Sequence, residues 1–337
     1  MSDSAPIYQA LTAHLAEWKY SFVCPSPETQ GRVVQKRSAD ESTADAKTAT
    51  DFFGWSLPCS RDVLRFIVPE AIVEDLLCAS IITACSGDKY RSTIRVSNFY
   101  LPNHCDDATP LYYIHSSFPA SSDSVFFGPD TYLFVSFLQA AARHLPQAPD
   151  SIIDVCCGSG AGAIHLARTY PEAIAVGLDL NTRALRLGDV NAELAGTTID
   201  FCESNLYAAV PASLLSAGID LIVSNPPYIA SSTDDEDLPI YADGGAEFGL
   251  DISLRIVEEG MKILSSRGVI MIYTGVAIPS ARPGDDAFLE KLKRVQGAEL
   301  VEYTIIHPDM WPEEIGVGAY ADVGRIQVAG AVLRRKP

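Results

Sequence analysis

The feature that most constrains this chain is a glycine-rich turn set between an apolar run and a helix-forming run. In Ser151-Ile-Ile-Asp-Val-Cys-Cys-Gly-Ser-Gly-Ala-Gly162 the apolar stretch Ile152–Val155 runs into Gly158 and Gly160, and Ala163–Arg168 follows at once. That order predicts strand, tight turn, helix. Glycine there permits backbone geometry and close ligand approach that a side chain would obstruct. The free N–H groups of the following helix open onto the same crevice. Nucleotide folds of several kinds use such a turn, so its context carries the weight. A second apolar run, Ala173–Leu178, ends in Asp179, and a third, Ile219–Val223, ends in Ser224-Asn-Pro-Pro-Tyr228.

From Ser151 onward, strands are predicted over 152–155, 174–178, 199–202, 219–223, 268–273, 300–306 and 324–333. Helices are predicted over 161–169, 182–195, 210–216, 246–264 and 285–296. Such alternation implies parallel pairing with right-handed crossovers. Only a loop with Pro308, Trp311 and Pro312 separates the last two strands, so they should form an antiparallel hairpin at one edge. The expected fold is therefore α/β, a Rossmann-like seven-stranded mixed sheet.

Upstream the pattern changes. Ile7, Leu11, Leu15 and Trp18 mark an amphipathic helix, and the polar stretch Val34–Thr50 reads as an exposed loop. Residues 60–69 and 70–82 read as two helices parted at Pro69, and 93–99 and 111–118 as strands. The expected organisation is a small α+β domain over 1–120, acting as substrate or lid domain, and a larger α/β domain over 121–337. Val125–Tyr132 bridges them, and Pro129 suits the first turn of a helix with Phe134, Phe137, Leu138 and Ala141 on one side. Phe127 and Tyr132 are candidate ligand-facing aromatics, with packing between the domains as the alternative.

Charge narrows the partners. Twenty-five Lys and Arg against 43 Asp and Glu give a net charge of -18, a field that repels polyanions. Short basic stretches such as Lys36-Arg37 and Arg334-Arg335-Lys336 read as solvated faces, so nucleic acid is disfavoured. No apolar stretch is long enough to span a bilayer, and Met1–Pro6 lacks the basic and apolar blocks of a secretion signal; a cytoplasmic protein is expected. Eight cysteines in a chain of 337 residues do not make a disulfide scaffold. No CxxC pair or close His/Cys cluster points to zinc, so no metal site is expected.

Three positions carry candidate chemistry. Asp179 ends the second strand, where an acid accepts both hydroxyls of a bound ribose; capping of the helix that starts near Thr182 is the rival role. Asp154 is a carboxylate at the tail of an apolar run, so its burial needs hydrogen-bond compensation from turn N–H groups or from a ligand amine. In Asn225-Pro-Pro-Tyr228, two prolines in succession stiffen the loop. It can aim the Asn225 side-chain carbonyl and the Pro226 main-chain carbonyl at one point. Paired acceptors suit an NH2 group with two hydrogens to donate, and Tyr228 adds a flat face for a planar or cationic group.

With these residues in place, 125–335 resembles the class I S-adenosylmethionine-dependent methyltransferases of the amino-methylating branch that carries N-P-P-Y. Asp154-Val-Cys-Cys-Gly-Ser-Gly160 corresponds to the D-x-G-x-G-x-G signature, with Cys156 in place of the first glycine. Within that branch the chain is similar to the protein-glutamine N5-methyltransferases that modify release factors. It is closer still to a bacterial set with Tyr-x-Asp-Gly-Gly after the loop, here Tyr241-Ala-Asp-Gly-Gly245. Glu313-Glu-Ile-Gly-Val-Gly-Ala-Tyr-Ala-Asp-Val-Gly-Arg325 resembles the same set.

The resemblance implies S-adenosylmethionine as cofactor. It would be held by Asp154, Cys156, Gly158, Gly160, Asp179, Leu180, Asn205, Leu206 and Asn225, together with Phe127 and Tyr132. Asn205 falls where the family has an acid beside the adenine amino group. Asn225, Pro226 and Tyr228 would orient an amine or amide nitrogen of a small molecule or protein for methyl transfer. Three alternatives stay open: cyclisation of the cofactor to azetidine-2-carboxylate and methylthioadenosine, amino methylation of nucleic acid, and a non-catalytic scaffold.

Overall fold

The computed structural model describes residues 5–40, 45–99, 111–230 and 241–336. Helix α1 (Ala5–Glu17) buries Tyr8, Leu11 and Leu15, the face its apolar spacing predicts, while Trp18 lies just past its end and is exposed. Helix α2 (Pro27–Asp40) overturns part of the expected loop over 34–50. Its start signal is local: the Ser26 hydroxyl accepts from Thr29 N and Pro27 opens the first turn. Residues 41–44 lie outside the described residues. Beyond them Ala46, inside the polar stretch, is buried, and so are Phe52 and Phe53 just past its end.

Next come β1 (Cys59–Ser60), α3 (Arg61–Ile67), α4 (Glu70–Cys78), β2 (Ile82–Cys85) and β3 (Lys89–Ser92). The second of the two predicted helices ends at Cys78, and Ile82 begins a strand instead. The three strands form a small antiparallel sheet in the order β1-β3-β2. The predicted strands β4 (Ile94–Phe99) and β5 (Leu111–Ser116) pair antiparallel.

The larger unit opens with α5 (Pro129–Ala141), which buries Phe134, Phe137, Leu138 and Ala141 as expected. It continues through β6 (Ser151–Val155), α6 (Ala161–Thr169), β7 (Ile174–Asp179), α7 (Thr182–Leu194), β8 (Asp200–Glu203), α8 (Ala212–Ala217) and β9 (Ile219–Ser224). Then follow α9 (Ala246–Gly249), α10 (Asp251–Ile263), β10 (Leu264–Pro279), α11 (Ala287–Leu292), β11 (Ala298–His307) and β12 (Val323–Arg335). The single helix predicted over 246–264 is two, because Gly249 turns the backbone to a φ of +81°.

These seven strands form one sheet in the order β11-β12-β10-β9-β6-β7-β8. Six run in one direction, five of them paired in parallel; β12 runs antiparallel to both β10 and β11, leaving β11 at the edge of the hairpin the sequence predicts. This is the α/β, Rossmann-like class I methyltransferase fold with an N-terminal α+β extension. The order reverses between β6 and β9, and ligands of open α/β sheets bind at such a switch point. Val155 and Ser224 are register partners at the carboxyl ends of those two strands, and the Ser224 hydroxyl donates to Val155 O. The glycine turn and the N-P-P-Y loop therefore leave the sheet side by side.

The two units are joined through polar as well as apolar contacts. Buried residues from both, among them Leu11, Phe53, Tyr113, Phe127, Leu138 and Ile164, belong to one core cluster. Asn191 of α7 is fully buried. Its side-chain carbonyl accepts from Ile114 N, and its amide donates to Ile114 O and Ser159 O. One side chain thus ties strand β5 to the glycine turn.

Candidate active site

A cavity of about 720 Å³ opens at the switch point. Asp154, Cys156, Gly158, Asp179, Leu180, Asn205, Leu206, Asn225, Pro226 and Tyr228 all line it. Asp154, Asp179 and the N-P-P-Y loop, read from sequence as separate positions, meet at one place because their strands are neighbours.

The turn explains its own composition. Cys156, Gly158 and Gly160 all have positive φ, at +58°, +54° and +83°. Gly160 lies behind the cavity wall as the N-cap of α6, where a Cβ would meet the Phe201 ring at 2.9 Å. Cys156 occupies a left-handed position that ordinarily favours glycine, with its thiol pushed well up by burial, followed by the nearby charges of Asp179 and Asp154. A neutral thiol is a poor nucleophile, so Cys156 is a wall of the cavity.

The two acids are held differently. Asp179 accepts from Gly158 N with one oxygen and from Asn181 N with the other, each at 2.8 Å. Burial raises its pKa, and those N–H groups oppose the shift. Capping of α7 falls to the Asn181 side chain, which accepts from Arg183 N and Ala184 N, so Asp179 does not act as the cap. Asp154 is buried beneath the turn, where Oδ2 accepts from Ala163 N at 2.8 Å. Oδ1 is buried without a protein partner, and burial pushes the carboxyl up to about 7. An orphaned carboxylate oxygen on a cavity wall calls for a donor from a ligand, preferably a cationic one.

On the other side of the switch point, the N-P-P-Y loop is braced by the Tyr-x-Asp-Gly-Gly segment. Ile229 N donates to Ala242 O and Gly244 N donates to Ile229 O, a parallel bridge that runs from Ile229 to Asp243. A Cβ on Gly244 would lie 2.6 Å from Tyr228 Cα, and one on Gly249 would lie 2.0 Å from Tyr228 O. Small residues there are a steric condition for seating the loop. Tyr228 is buried at 6% exposure. Its hydroxyl donates to Asp130 Oδ2 at 2.6 Å and accepts from Trp311 Nε1 at 2.8 Å.

Phe127 and Tyr132 do not reach the cavity. Phe127 is buried among Tyr113, His115, Phe99 and Tyr132, and the Tyr132 hydroxyl donates to Asn98 O and accepts from Cys24 N. Both serve the packing alternative. Phe126, one residue earlier, faces the cavity instead, stacked 5.3 Å from Tyr241 and tilted 6.1 Å from Trp311. Successive side chains of an extended segment point to opposite sides, so a one-residue error in facing exchanges the two roles. Asp130, Tyr241, Trp311, Asp243 and Glu313 also line the cavity, and sequence reasoning gave none of them a role.

The strand order, the glycine turn at the switch point and the N-P-P-Y loop beside it are the arrangement of the class I methyltransferase fold. Residues 131–282 match the family described as methyltransferase small domain. Over part of its length the chain is related to the glutamine methyltransferases of release factors and ribosomal proteins. It is 35% identical over 130 residues to the release factor glutamine methyltransferase of Deinococcus radiodurans, covering 36% of this chain and 44% of that one. With the ribosomal protein uL3 glutamine methyltransferase of Neisseria gonorrhoeae it shares 33% over 131 residues, 36% and 42% of the two chains. With the 4-amino-L-phenylalanine/4-methylamino-L-phenylalanine methyltransferase of Streptomyces pristinaespiralis it shares 31% over 148 residues, 42% and 49% of the two. The chain spans less than half the length of each of these relatives.

Proposed function

We propose that the protein binds S-adenosylmethionine and transfers its methyl group to an amine or amide nitrogen of a small molecule or a protein. The observation that carries this reading is the adjacency of the orphaned Asp154 oxygen and the N-P-P-Y loop in one cavity. The residues present fit the cofactor. Asp154 would take the cofactor's ammonium, Asp179 its ribose hydroxyls and Asn205 its adenine amino group. Leu180, an apolar side chain 56% exposed at the cavity lip, would cover the base. The cofactor supplies a methyl carbon activated by a positively charged sulfur.

The protein's own part is alignment and exclusion of water. The Asn225 side-chain carbonyl and the Pro226 carbonyl accept the two N–H hydrogens, leaving the nitrogen lone pair directed along the line of attack. Held by Asp154, Asp179 and Asn205, the cofactor would supply the methyl carbon, and its sulfur would leave as a neutral thioether. The nitrogen then loses one proton to solvent. Tyr228 offers its ring face to the acceptor.

The acceptor side of the cavity supports a neutral or cationic substrate. Phe126, Tyr241 and Trp311 supply aromatic surface, and Asp243 and Glu313 supply negative charge. These surroundings, with the net charge of -18, disfavour a nucleic acid. A relative that acts on an aromatic amino acid makes small aromatic amines the first acceptors to test, with glutamine-containing peptides second. Incubation with S-adenosylmethionine and each acceptor should yield S-adenosylhomocysteine and an acceptor 14 mass units heavier, the increment of one CH2, on the order of 1–100 turnovers per second at best. Methylthioadenosine formed with no acceptor present would instead establish cyclisation of the cofactor.

A further inference from the structure

Asp130 is a buried carboxylate that the proposed transfer does not use. It is the second residue of α5 and only 2% exposed, yet it borders the cavity. Both of its oxygens accept phenol hydrogens: Oδ2 from Tyr228 at 2.6 Å and Oδ1 from Tyr273 at 2.5 Å. Tyr273 lies on β10 and is fully buried, with its ring edge-on to Phe134 of α5. Trp311, from the loop between β11 and β12, completes the chain by donating its indole N–H to the Tyr228 hydroxyl. Trp311 has a φ of +59°, a left-handed conformation uncommon for a bulky side chain and typical of strain kept at functional sites.

Direction settles what each group does. The indole N–H can only donate, so the Tyr228 oxygen accepts from it and sends its own hydrogen to Asp130. Tyr273 also donates to Asp130. The Tyr228 hydroxyl is thus engaged on both sides, and what remains for an acceptor is the face of its ring. Three elements distant in sequence converge on that ring: α5 supplies the carboxylate, β10 braces it through Tyr273, and the C-terminal loop holds the hydroxyl through Trp311.

We propose that Asp130 is the positioning residue of the site: by gripping the hydroxyls of Tyr228 and Tyr273 it sets the ring plane of the N-P-P-Y tyrosine. This deepens the proposed methyl transfer, on which its catalytic consequence rests, but its structural content is tested separately. Asp130→Asn replaces one accepting oxygen by an NH2 donor at nearly constant volume, so one tyrosine loses its partner.

The test uses 15N-labelled indole groups in the full chain, which has three tryptophans, with the Trp311 resonance assigned by Trp311→Phe. Asp130→Asn should move the Trp311 indole resonance as Tyr228→Phe does, although Asp130 reaches Trp311 only through Tyr228. The Trp18 and Trp55 resonances should stay in place. The double variant should match Tyr228→Phe alone. With a methylated acceptor such as 4-amino-L-phenylalanine, kcat should fall about 10- to 100-fold with cofactor affinity unchanged. The losses of the two single variants should not add. Tyr273→Phe, which leaves Asp130 and Tyr228 in place, should shift the same resonance less and covers the case in which Asp130→Asn does not fold. A Trp311 resonance unmoved in the folded Asp130 variant, or unmoved by Tyr273→Phe where that variant does not fold, overturns the proposal, as does an additive loss of kcat. If no acceptor is methylated, the transfer reading fails while the resonance still decides the role of Asp130.

Discussion

Gly275 offers the sharpest perturbation of the site because it lies against the Tyr228 ring without being part of the cavity. A Cβ there would stand 2.3 Å from Tyr228 Cδ2 and 2.5 Å from Cε2. Carbon contacts are favourable at about 3.5–4.0 Å, so the Gly275→Ala ring must retreat by roughly 1 Å. It cannot do so freely, because Asp130 and Trp311 hold its hydroxyl. Overpacking of this kind costs about 1–3 kcal/mol, and a misplacement of about 1 Å at reacting groups costs on the order of 100-fold in rate. Cofactor affinity should change little, since Asp154 and Asp179 sit on β6 and β7. Scanning calorimetry, cofactor titration and single-turnover transfer separate these effects. Gly330→Ala is the control: its Cβ would meet Phe137 at 2.5 Å, away from the cavity, so it should lower Tm and spare turnover. Wild-type turnover in a folded Gly275→Ala protein would refute the reasoning, as would equal losses in both variants.

Other expectations follow from the same geometry. Because burial raises Asp154 to about 7, its contribution to folding is present below the unfolded value near 4 and is lost as pH rises through about 7. The Tm of the free protein should fall over that window, and less so in Asp154→Asn. Affinity for the cationic cofactor should instead rise with pH from 5 to 7, by up to about tenfold per unit, as titration calorimetry can show. Cys156→Gly should keep cofactor binding and shift stability by no more than about 1 kcal/mol, because it removes a left-handed non-glycine residue. Cys156→Val should destabilise by about 1–3 kcal/mol, measured by denaturant melts. Arg267 donates to both oxygens of Asp220, and Asp220 also accepts from Asp150 N and Ser265. That clamp joins the beginnings of β6 and β9 to β10, and Arg267→Ala should lower Tm without changing turnover. Arg267 holds the Asp220 carboxyl down to about 2, so this contribution is present above the unfolded value near 4 and is lost as pH falls toward 2. The variant should therefore lose less of its Tm than wild type on acidification.

The sheet was legible because its strands are apolar runs punctuated by glycine or proline and separated by helices. Strand order adds what spacing alone lacks, the register of Val155 against Ser224 that sets turn and loop side by side. Composition misled over the start of the polar stretch taken as loop, where α2 continues to Asp40 and Ala46 beyond it is buried. It also misled where a glycine answers to a distant neighbour: Gly249 breaks a helix to clear the Tyr228 carbonyl. Phe126 and Phe127 exchanged roles because facing in an extended segment depends on a phase that two adjacent aromatics do not reveal. The Asp130 network joins residues 130, 228, 273 and 311, and no local pattern marks such a meeting.

In the proposed site, one wall of the cavity holds the cofactor and the N-P-P-Y loop holds the nitrogen. Comparison of Asn225→Ala with wild type, measuring cofactor Kd and single-turnover rate on the same preparation, tests that division most directly. The expected result is a Kd within about threefold and a rate lower by about 100- to 1,000-fold, the scale for losing one group that aligns and polarises a reacting centre. Equal loss of affinity and rate, or an unchanged rate, would contradict it.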